Sequence, residues 1–290
     1  MVSAVAYTAF NTIPADDGAK RRILRANLPP TNLIRIAPEI DSGEFYDSYV
    51  GRQLAVGVNA RHHAIKGWLR DAGLRKGHRV LELGCGIGTL TGLIADEVGA
   101  DGSVVAIDLS PKSIEVASAR LSHHRNVELI AADVLEVELA GQFDVAVLPD
   151  VIEHIPVEHH RALFERVAAS LAPTGFVLLN YPSPHYLDWC REHDPQSLQL
   201  IDQSIQADQL LADVYPSGLY LDLLKTYSIW ISEGDYVVAV LRPAAAQRVF
   251  TTKPEQNPSV VTGLIRRARA KVEFELERRR SSAARRAPRR

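Results

Sequence analysis

Residues 79–108, which read RVLELGCGIGTLTGLIADEVGADGSVVAID, decide the fold of this chain. Residues 80–83 form a short, mainly apolar run that predicts a strand buried on both faces of a sheet. Three glycines follow at positions 84, 86 and 88, and glycine lets a backbone turn sharply and approach a ligand closely. The pattern therefore predicts a strand, a ligand-facing turn and a helix in immediate succession.

An acidic residue at the end of the next predicted strand indicates what the turn binds. Asp108 follows the apolar run 103–107, where a carboxylate can accept hydrogen bonds from both hydroxyls of a ribose. The third glycine comes one residue too early for a dinucleotide fingerprint, which would place it at Thr89. Glu82 adds negative charge where a pyrophosphate would lie, but it attracts a sulfonium or ammonium cation. These features favour S-adenosylmethionine over NAD.

Five ordered motifs resemble those of the class I (Rossmann-like) S-adenosylmethionine-dependent methyltransferases. They are ELGCGIG at the glycine turn, the acid of AIDLS, AADV, PDVIEH after FDVAVL, and LAPTGFVLL. The resemblance covers residues 69–243. It implies an α/β fold with a doubly wound, mostly parallel sheet of seven strands. The expected strand order is 3-2-1-4-5-7-6, with strand 7 antiparallel and helices on both faces.

The resemblance also implies the cofactor contacts. Gly84 and Gly86 let the backbone approach the methionine and ribose portions, and Glu82 faces the aminoacyl end. Asp108 holds the ribose, while Asp133 accepts from the adenine amino group. The full set of expected cofactor-binding residues is Glu82, Gly84, Cys85, Gly86, Gly88, Asp108, Leu109, Asp133, Val134, Pro149 and Tyr49.

Hydrophobic periodicity predicts an alternation of strands and helices. Strands are expected near 79–83, 103–107, 127–131, 143–148 and 174–180, and helices near 88–98, 111–122 and 157–171. One helical pattern, 51–72, carries an apolar stripe suited to covering the cofactor site. Two further apolar runs, 220–231 and 235–242, are separated by SEGD, which predicts a tight antiparallel hairpin.

The segment PDVIEHIP, residues 149–156, is the second candidate site. Asp150, Glu153 and His154 have i, i+3 and i+4 spacing, which predicts that they share one side of a helical turn. In one interpretation His154 is a general base for an attacking hydroxyl, and Glu153 or Asp150 fixes its tautomer. In the other, all three residues bind a divalent metal, for which Mg²⁺ suits the donors better than Zn²⁺. Both interpretations stay open at this point.

An insertion at 180–216 is the expected acceptor-binding segment. Aromatic rings beside polar groups suit a sugar ring or a planar metabolite. His185 follows the predicted fifth strand closely and is a further candidate base. The segment 197–214 has helical character suited to a lid wall or a dimer face. The expected acceptor contacts are Tyr181, Tyr186, Trp189 and, from the upstream helix, His62.

Charge divides the 290-residue chain into a body and a tail. Residues 243–290 hold 13 of the 33 Lys and Arg but 4 of the 35 Asp and Glu, a balance of +9 against −11 for the rest. We therefore predict an N-terminal arm or lid at 1–50, a methyltransferase domain at 51–243, and a basic tail at 244–290 that is partly helical or disordered. Such a tail can bind RNA, an acidic membrane surface or an acidic protein face.

Cysteine count and hydropathy indicate the compartment. Two cysteines are too few for a disulfide framework. No run approaches the roughly 20 apolar residues of a transmembrane helix, and the N-terminus lacks a secretory pattern. The sequence predicts a soluble cytoplasmic protein with no transmembrane segment.

Together these features predict O-methylation of a small-molecule or saccharide hydroxyl, with a homodimer as one arrangement. Two alternatives stay open. The first is an RNA methyltransferase whose tail follows phosphates, although nucleic acid is the less favoured partner. The second is a non-catalytic protein that binds the cofactor or assists assembly.

Overall fold

The computed structural model describes residues 42–139, 141–199 and 201–244, with side chains from residue 49 onward. The chain divides into two units, Met1–Ala246 and Gln247–Arg290, and the described residues all belong to the first. The arm before residue 42 and the basic tail beyond residue 244, including its predicted helix, lie outside the described residues.

The strands of the described residues are β1 (Arg79–Leu83), β2 (Ser103–Asp108), β3 (Val127–Ala131), β4 (Phe143–Pro149), β5 (Leu171–Pro182), β6 (Leu219–Tyr227) and β7 (Tyr236–Pro243). These seven strands form one sheet in the order β3-β2-β1-β4-β5-β7-β6. The first five strands in this order, β3, β2, β1, β4 and β5, run parallel to one another, whereas β7 is antiparallel to both β5 and β6. The predicted fold class is therefore confirmed.

Helices cover both faces of the sheet, because successive strand residues alternate between two apolar clusters. On β1, Leu81 packs in a cluster with the helices at 157–170 and 207–214, whereas Val80 packs in a cluster with the helices at 60–72 and 89–98. The helices are α1 (Ser42–Val56), α2 (Ala60–Ala72), α3 (Thr89–Val98), α4 (Pro111–Arg120), α5 (Val157–Ser170), α6 (Pro184–His193) and α7 (Ala207–Val214). None of the described helices combines the length and apolar character that a membrane crossing requires.

The single helix expected at 51–72 is wrong, because the structure has two helices there. α1 ends before Gly57, whose φ of 59° lies in the left-handed region, and Asn59 then caps α2. Leu54 and Val58 are 51% and 48% exposed and do not extend the buried stripe of α2. α1 also runs across the predicted lid boundary at residue 50.

Two other boundaries differ from expectation. The hairpin connection is residues 228–235 rather than a tight turn, because the buried carboxylate of Asp235 accepts the N–H groups of Ile229 and Trp230. In the insertion, helix α7 begins at Ala207, and residues 201–206 have no regular secondary structure. There Gln203 uses its backbone N–H to bind the carbonyl of Glu153 at 2.9 Å instead of continuing a helix.

Candidate functional site

The glycine turn is built almost entirely by backbone. Gly84, Gly86 and Gly88 have φ angles of 77°, 52° and 73°, which residues with a Cβ rarely adopt. The N–H groups of Gly84 and Cys85 both donate to the carbonyl of Ile107, at 2.8 and 3.0 Å. A Cβ at position 84 would overlap Val151 Cγ2, so the turn packs directly against the PDVIEH segment. This cradle fits a ligand that approaches the backbone closely.

Asp108 lies at the end of β2 beside that turn. Its Oδ2 accepts the N–H of Gly86 at 2.7 Å, and its Oδ1 accepts the N–H of Ser110 at 2.9 Å. A carboxylate has about four lone-pair sites, so these bonds are compatible with acceptance from ribose hydroxyls. The residues expected near the adenine lie at the tips of β2 and β3. Leu109 is 38% exposed, and Asp133 caps a turn by accepting the N–H of Leu135.

Glu82 is fully buried on β1, between Ala106 of β2 and Val147 of β4. Burial raises its pKa to about 8, partly offset by the nearby hydroxyl of Thr91. The carboxyl group is therefore closed off from solvent, and its predicted contact with the aminoacyl end of the cofactor stays a prediction. Cys85 is also buried, and burial together with the charge of Glu82 raises its thiol pKa well above the ordinary value. A neutral thiol agrees with a packing role in the turn.

Helix α1 lies over the glycine turn. The side-chain amide of Gln53 occupies the space beside Gly86, where a Cβ would come within 2.8 Å of its Nε2. Burial raises the pKa of Tyr49, and the charges of Arg52, Asp202 and Arg61 also act on this hydroxyl. Tyr49 therefore lies close to the second candidate site as well as to the turn. Helix α1 therefore covers part of the turn, while a lid formed by residues 1–50 stays a prediction.

The PDVIEH segment leaves β4 through an unusual backbone conformation. Asp150 has a φ of 54°, which among the described residues is the one positive φ outside glycine. Its N–H donates to the carbonyl of Asn180 on β5 at 2.7 Å, and a 3-10 turn follows at Ile152–His154. The expected single helical turn through Asp150 is therefore wrong. His160 of α5 fixes the 3-10 turn, because its Nε2 is 2.9 Å from the carbonyl oxygens of both Ile152 and Ile155.

The three predicted residues do come together, and two further residues join them. We call this set the charged cluster: Asp150, Glu153, His154, Arg61 of α2 and Asp202 of the insertion. Arg61 forms an ion pair with Asp150, and Asn180 Nδ2 lies 3.4 Å from the other oxygen of that carboxylate. Burial raises the pKa of Asp150, and the positive charges of Arg61 and His154 oppose this rise.

Glu153 and His154 form the interior of the charged cluster. Glu153 is 1% exposed, and burial raises its pKa to about 8. His154 Nε2 lies 3.8 Å from Glu153 Oε1, while Nδ1 lies 2.6 Å from the carbonyl of Ile201 and 3.2 Å from Asp202 Oδ1. Burial lowers the pKa of His154, but the charges of Glu153 and Asp202 outweigh it and raise this pKa to about 9.

The geometry gives no support to the predicted Mg²⁺ site at Asp150, Glu153 and His154. No group of three or more His, Cys, Asp and Glu in the described part of the chain is arranged to hold a metal ion. The Arg61 guanidinium already occupies one side of the Asp150 carboxylate, and His154 Nδ1 faces two protein oxygens. These donors fit hydrogen bonds and ion pairs rather than a coordination sphere.

The expected acceptor contacts are spread over several places. Tyr181 is 1% exposed within the apolar core, although its pKa responds to the charge of Glu153. Tyr186 and Trp189 stack along α6 with ring centroids 6.4 Å apart, and Trp189 is 46% exposed. His185 is exposed on the same helix and makes no hydrogen bond or ion pair with the charged cluster in the described ranges. Its role as a base therefore stays a prediction.

His62 closes the N-terminal cap of α2. The N–H of Asn59 lies 3.2 Å from His62 Nδ1, and burial lowers the pKa of His62 to about 4. The imidazole is therefore neutral and already has a structural partner on Nδ1. Its predicted contact with an acceptor stays a prediction.

Several residues that complete the site were missed from the sequence. Asp202 has no motif around it, and Tyr227 binds Asn180 Oδ1 through a hydroxyl on a strand 47 residues away. The hydroxyl of Tyr236 on β7 lies against Arg61, and burial raises its pKa well above the ordinary value. The strand position of Tyr236 offered one signal, because this residue begins β7 and pairs with Pro182 at the carboxyl end of β5, where ligands bind in such sheets.

The sheet order, the glycine turn and Asp108 define a Rossmann-like enzyme class. Residues 80–175 match the family model described as a methyltransferase domain. A ubiquinone biosynthesis O-methyltransferase of Bordetella parapertussis is 31% identical over 175 residues, which are 54% of this chain and 70% of that protein. The chain therefore belongs to the class I S-adenosylmethionine-dependent methyltransferase family.

Two other comparisons are consistent with this membership. The ubiquinone biosynthesis O-methyltransferase of Bordetella avium is 36% identical over 117 residues, 39% of this chain and 46% of that protein. The chain thus spans less than half the length of this second relative. The N-methyltransferase NodS of Bradyrhizobium japonicum, solved with S-adenosyl-L-homocysteine, shares the fold with a TM-score of 0.54 at 18% identity. That match covers 69% of this chain and 98% of NodS.

Proposed function

We propose that this chain transfers the methyl group of S-adenosylmethionine to a hydroxyl oxygen of a small acceptor, and that the acceptor is a phenolic ring. The observation that carries the proposal is the packing of Val151 against Gly84. Because of this packing, the segment with Glu153 and His154 lies directly beside the glycine turn. The two Bordetella relatives, both named ubiquinone biosynthesis O-methyltransferase, favour oxygen as the methyl acceptor.

The residues of the turn fit the cofactor. Backbone at Gly84 and Gly86 would receive its methionine and ribose portions, and Asp108 would accept from the ribose hydroxyls. When bound, S-adenosylmethionine supplies a methyl group that is already activated for displacement. The protein therefore has to hold the acceptor oxygen in line and remove its proton.

His154 is the residue best placed to remove that proton. Its Nδ1 faces two oxygens that can only accept, so in the neutral imidazole Nδ1 carries the hydrogen and the lone pair lies on Nε2. In the proposed step Nε2 would take the hydroxyl proton of the acceptor, and the bound cofactor would supply the methyl group and leave as S-adenosylhomocysteine. The neighbouring carboxyl group of Glu153 stabilises the imidazolium that forms.

The surroundings of the charged cluster suit a ring with a hydroxyl group. Tyr49, Tyr227 and Tyr236 each have a pKa raised by burial, so their hydroxyls stay protonated and can donate hydrogen bonds. Tyr227 and Tyr236 also lie together, with ring centroids 6.2 Å apart. Aromatic walls with a few polar groups are typical of sites for planar metabolites.

The test is incubation of the full chain with methyl-labelled S-adenosylmethionine and three acceptors: a catechol-type phenol, a saccharide and an RNA. Mass spectrometry should find the label on a phenolic oxygen, with equal turnover in the presence and absence of EDTA. Label on the saccharide alone would contradict the phenolic acceptor and favour a saccharide hydroxyl. Label on RNA, with steep salt dependence, would favour the nucleic-acid alternative. Cofactor binding without any transfer would favour a non-catalytic role.

A further inference from the structure

We propose that Asp202 is a positioning residue for His154: its carboxylate holds the proton on Nδ1 and so leaves the lone pair on Nε2. Asp202 lies in a short segment of the insertion, residues 201–204, which we call the strap. The effect of Asp202 on turnover rests on the proposed function, whereas its effect on the imidazole tautomer does not. The proposal adds a residue from outside the PDVIEH segment to the catalytic machinery.

Distances from His154 support this assignment. Nδ1 lies 2.6 Å from the carbonyl oxygen of Ile201 and 3.2 Å from Asp202 Oδ1, which is a shared hydrogen bond to two neighbouring residues of the strap. Neither a carbonyl nor a carboxylate can donate, so the ring nitrogen must. The tautomer of a histidine is set by the hydrogen bond that one ring nitrogen makes. Here the strap makes that bond.

Asp202 itself is fixed in place. Its side chain is 9% exposed, and its Oδ2 accepts the N–H of Gln199 at 2.6 Å. Its backbone carbonyl accepts a hydrogen bond from the Arg191 guanidinium of α6. Because both carboxylate oxygens act as acceptors, an asparagine amide cannot replace them: its NH₂ group would face either the N–H of Gln199 or Nδ1–H.

The strap is tied to the segment that it orients. Gln203 donates its backbone N–H to the carbonyl of Glu153 at 2.9 Å, and its side-chain amide donates to the carbonyl of Ile155. Directly after the strap, Ile205 is 1% exposed in the apolar core. The strap and the 3-10 turn therefore form one hydrogen-bonded unit, which keeps Asp202 and His154 in register.

The other acids near His154 are less suited to this role. Glu153 lies 3.8 Å from Nε2, on the opposite side of the ring from Nδ1. Asp150 is engaged by Arg61. The sequence-based prediction that Glu153 or Asp150 fixes the tautomer therefore differs from the geometry. The charged and titratable groups around the pair are Glu153 and Asp150 of the PDVIEH segment, Arg61 of α2, Arg191 and Cys190 of α6, Tyr49 of α1, Tyr181 of β5 and Tyr236 of β7.

The test uses the full chain, the near-isosteric variant Asp202→Asn and the control Asp208→Asn, an exposed acid six residues further on. Asp202→Asn should lower kcat by about tenfold or more and leave the acceptor KM and the affinity for S-adenosylhomocysteine unchanged, because general-base catalysis contributes about 10²–10⁴-fold. Asp208→Asn should match the wild type in all three. A merely structural residue would not show this separation of kcat from KM.

Nitrogen NMR of the His154 ring supplies a readout that needs no turnover. At about pH 10, above the raised pKa of this histidine, the wild type should show a protonated Nδ1 and an unprotonated Nε2. The proton on Nε2 instead, or an unchanged kcat in Asp202→Asn, would overturn the proposal. If no acceptor is methylated, the proposed function fails, but the ring spectrum of Asp202→Asn still decides the role of Asp202. A larger share of the neutral ring with its proton on Nε2 than in the wild type supports that role, whereas identical spectra would mean that the carbonyl of Ile201 holds the Nδ1 proton without Asp202.

Discussion

The glycine turn and the charged cluster lie side by side at one edge of the sheet, yet they are built differently. The turn comes from one continuous segment, 79–108, and its shape is set by positive φ angles and by backbone bonds to Ile107. The charged cluster takes side chains from α2, from the segment after β4 and from the strap. A backbone site is therefore fixed locally, whereas the side-chain site depends on tertiary packing. Substitutions should separate the two.

Replacement of His154 should have the largest effect on the chemistry and none on the cofactor. His154→Ala removes the proposed base, so kcat should fall by about 10²–10⁴-fold. The affinity for S-adenosylhomocysteine, measured by calorimetry, should not change, because the turn does not use this side chain. His159→Ala, an exposed histidine on α5, is the matched control. Equal losses of kcat and cofactor affinity would show that the two sites are not separable.

Replacement of Gly84 should destabilise the glycine turn and weaken cofactor binding. Gly84→Ala places a Cβ against Val151 at a φ of 77°, while Gly77→Ala has a nearly equal φ of 80° with nothing within 4 Å. Backbone strain costs about 1–3 kcal/mol at both positions. The overlap adds about 1–3 kcal/mol at position 84 alone. Denaturant unfolding should thus show a larger loss for Gly84→Ala, together with weaker cofactor binding.

A second substitution identifies the cause of this difference. Val151→Ala removes the methyl group that the new Cβ would meet, so the double variant should be more stable than the sum of the single effects predicts. If the changes in unfolding free energy of the two single variants simply added up in the double variant, contact with Val151 would not be the reason that position 84 excludes a Cβ.

This contrast also explains how much could be predicted from the sequence. β1, β3 and α3 were predicted almost to the residue, because their periodicity and the glycine turn are local signals. Asp202 could not be found, because residues 201–206 carry no motif and their bonds to Glu153 and His154 form only in the folded chain. The prediction of one helix over 51–72 was wrong for a related reason. The apolar pattern continues through Gly57, whereas the backbone turns at this residue with a positive φ.

The pH dependence should report the charged cluster and not the turn. The pKa of His154 is raised to about 9, so the base is mostly protonated at neutral pH and loses its proton as the pH rises. Well below that pKa, kcat/KM should fall by about tenfold per pH unit, and the whole drop from pH 9 to pH 7 should be about fiftyfold. Profiles recorded with two phenols of different acidity give the control. A midpoint that follows the phenol would assign the proton to the acceptor rather than to His154.

The smallest effect should come from His160, which supports the 3-10 turn without touching the charged cluster. His160→Leu removes the hydrogen bonds to the carbonyls of Ile152 and Ile155, but each carbonyl keeps another donor, the N–H of Ile155 and the side chain of Gln203. The unfolding free energy should therefore fall by only about 1 kcal/mol, the usual net value of a hydrogen bond.

Because the turn that carries His154 is then held less firmly, kcat for His160→Leu should fall several-fold at unchanged cofactor affinity. His159→Leu, its exposed neighbour on α5, should change neither quantity. A parallel loss of cofactor binding in His160→Leu would mean that α5 supports the glycine turn as well. One helix would then stabilise both the charged cluster and the glycine turn, and substitutions could not affect kcat without also affecting cofactor binding.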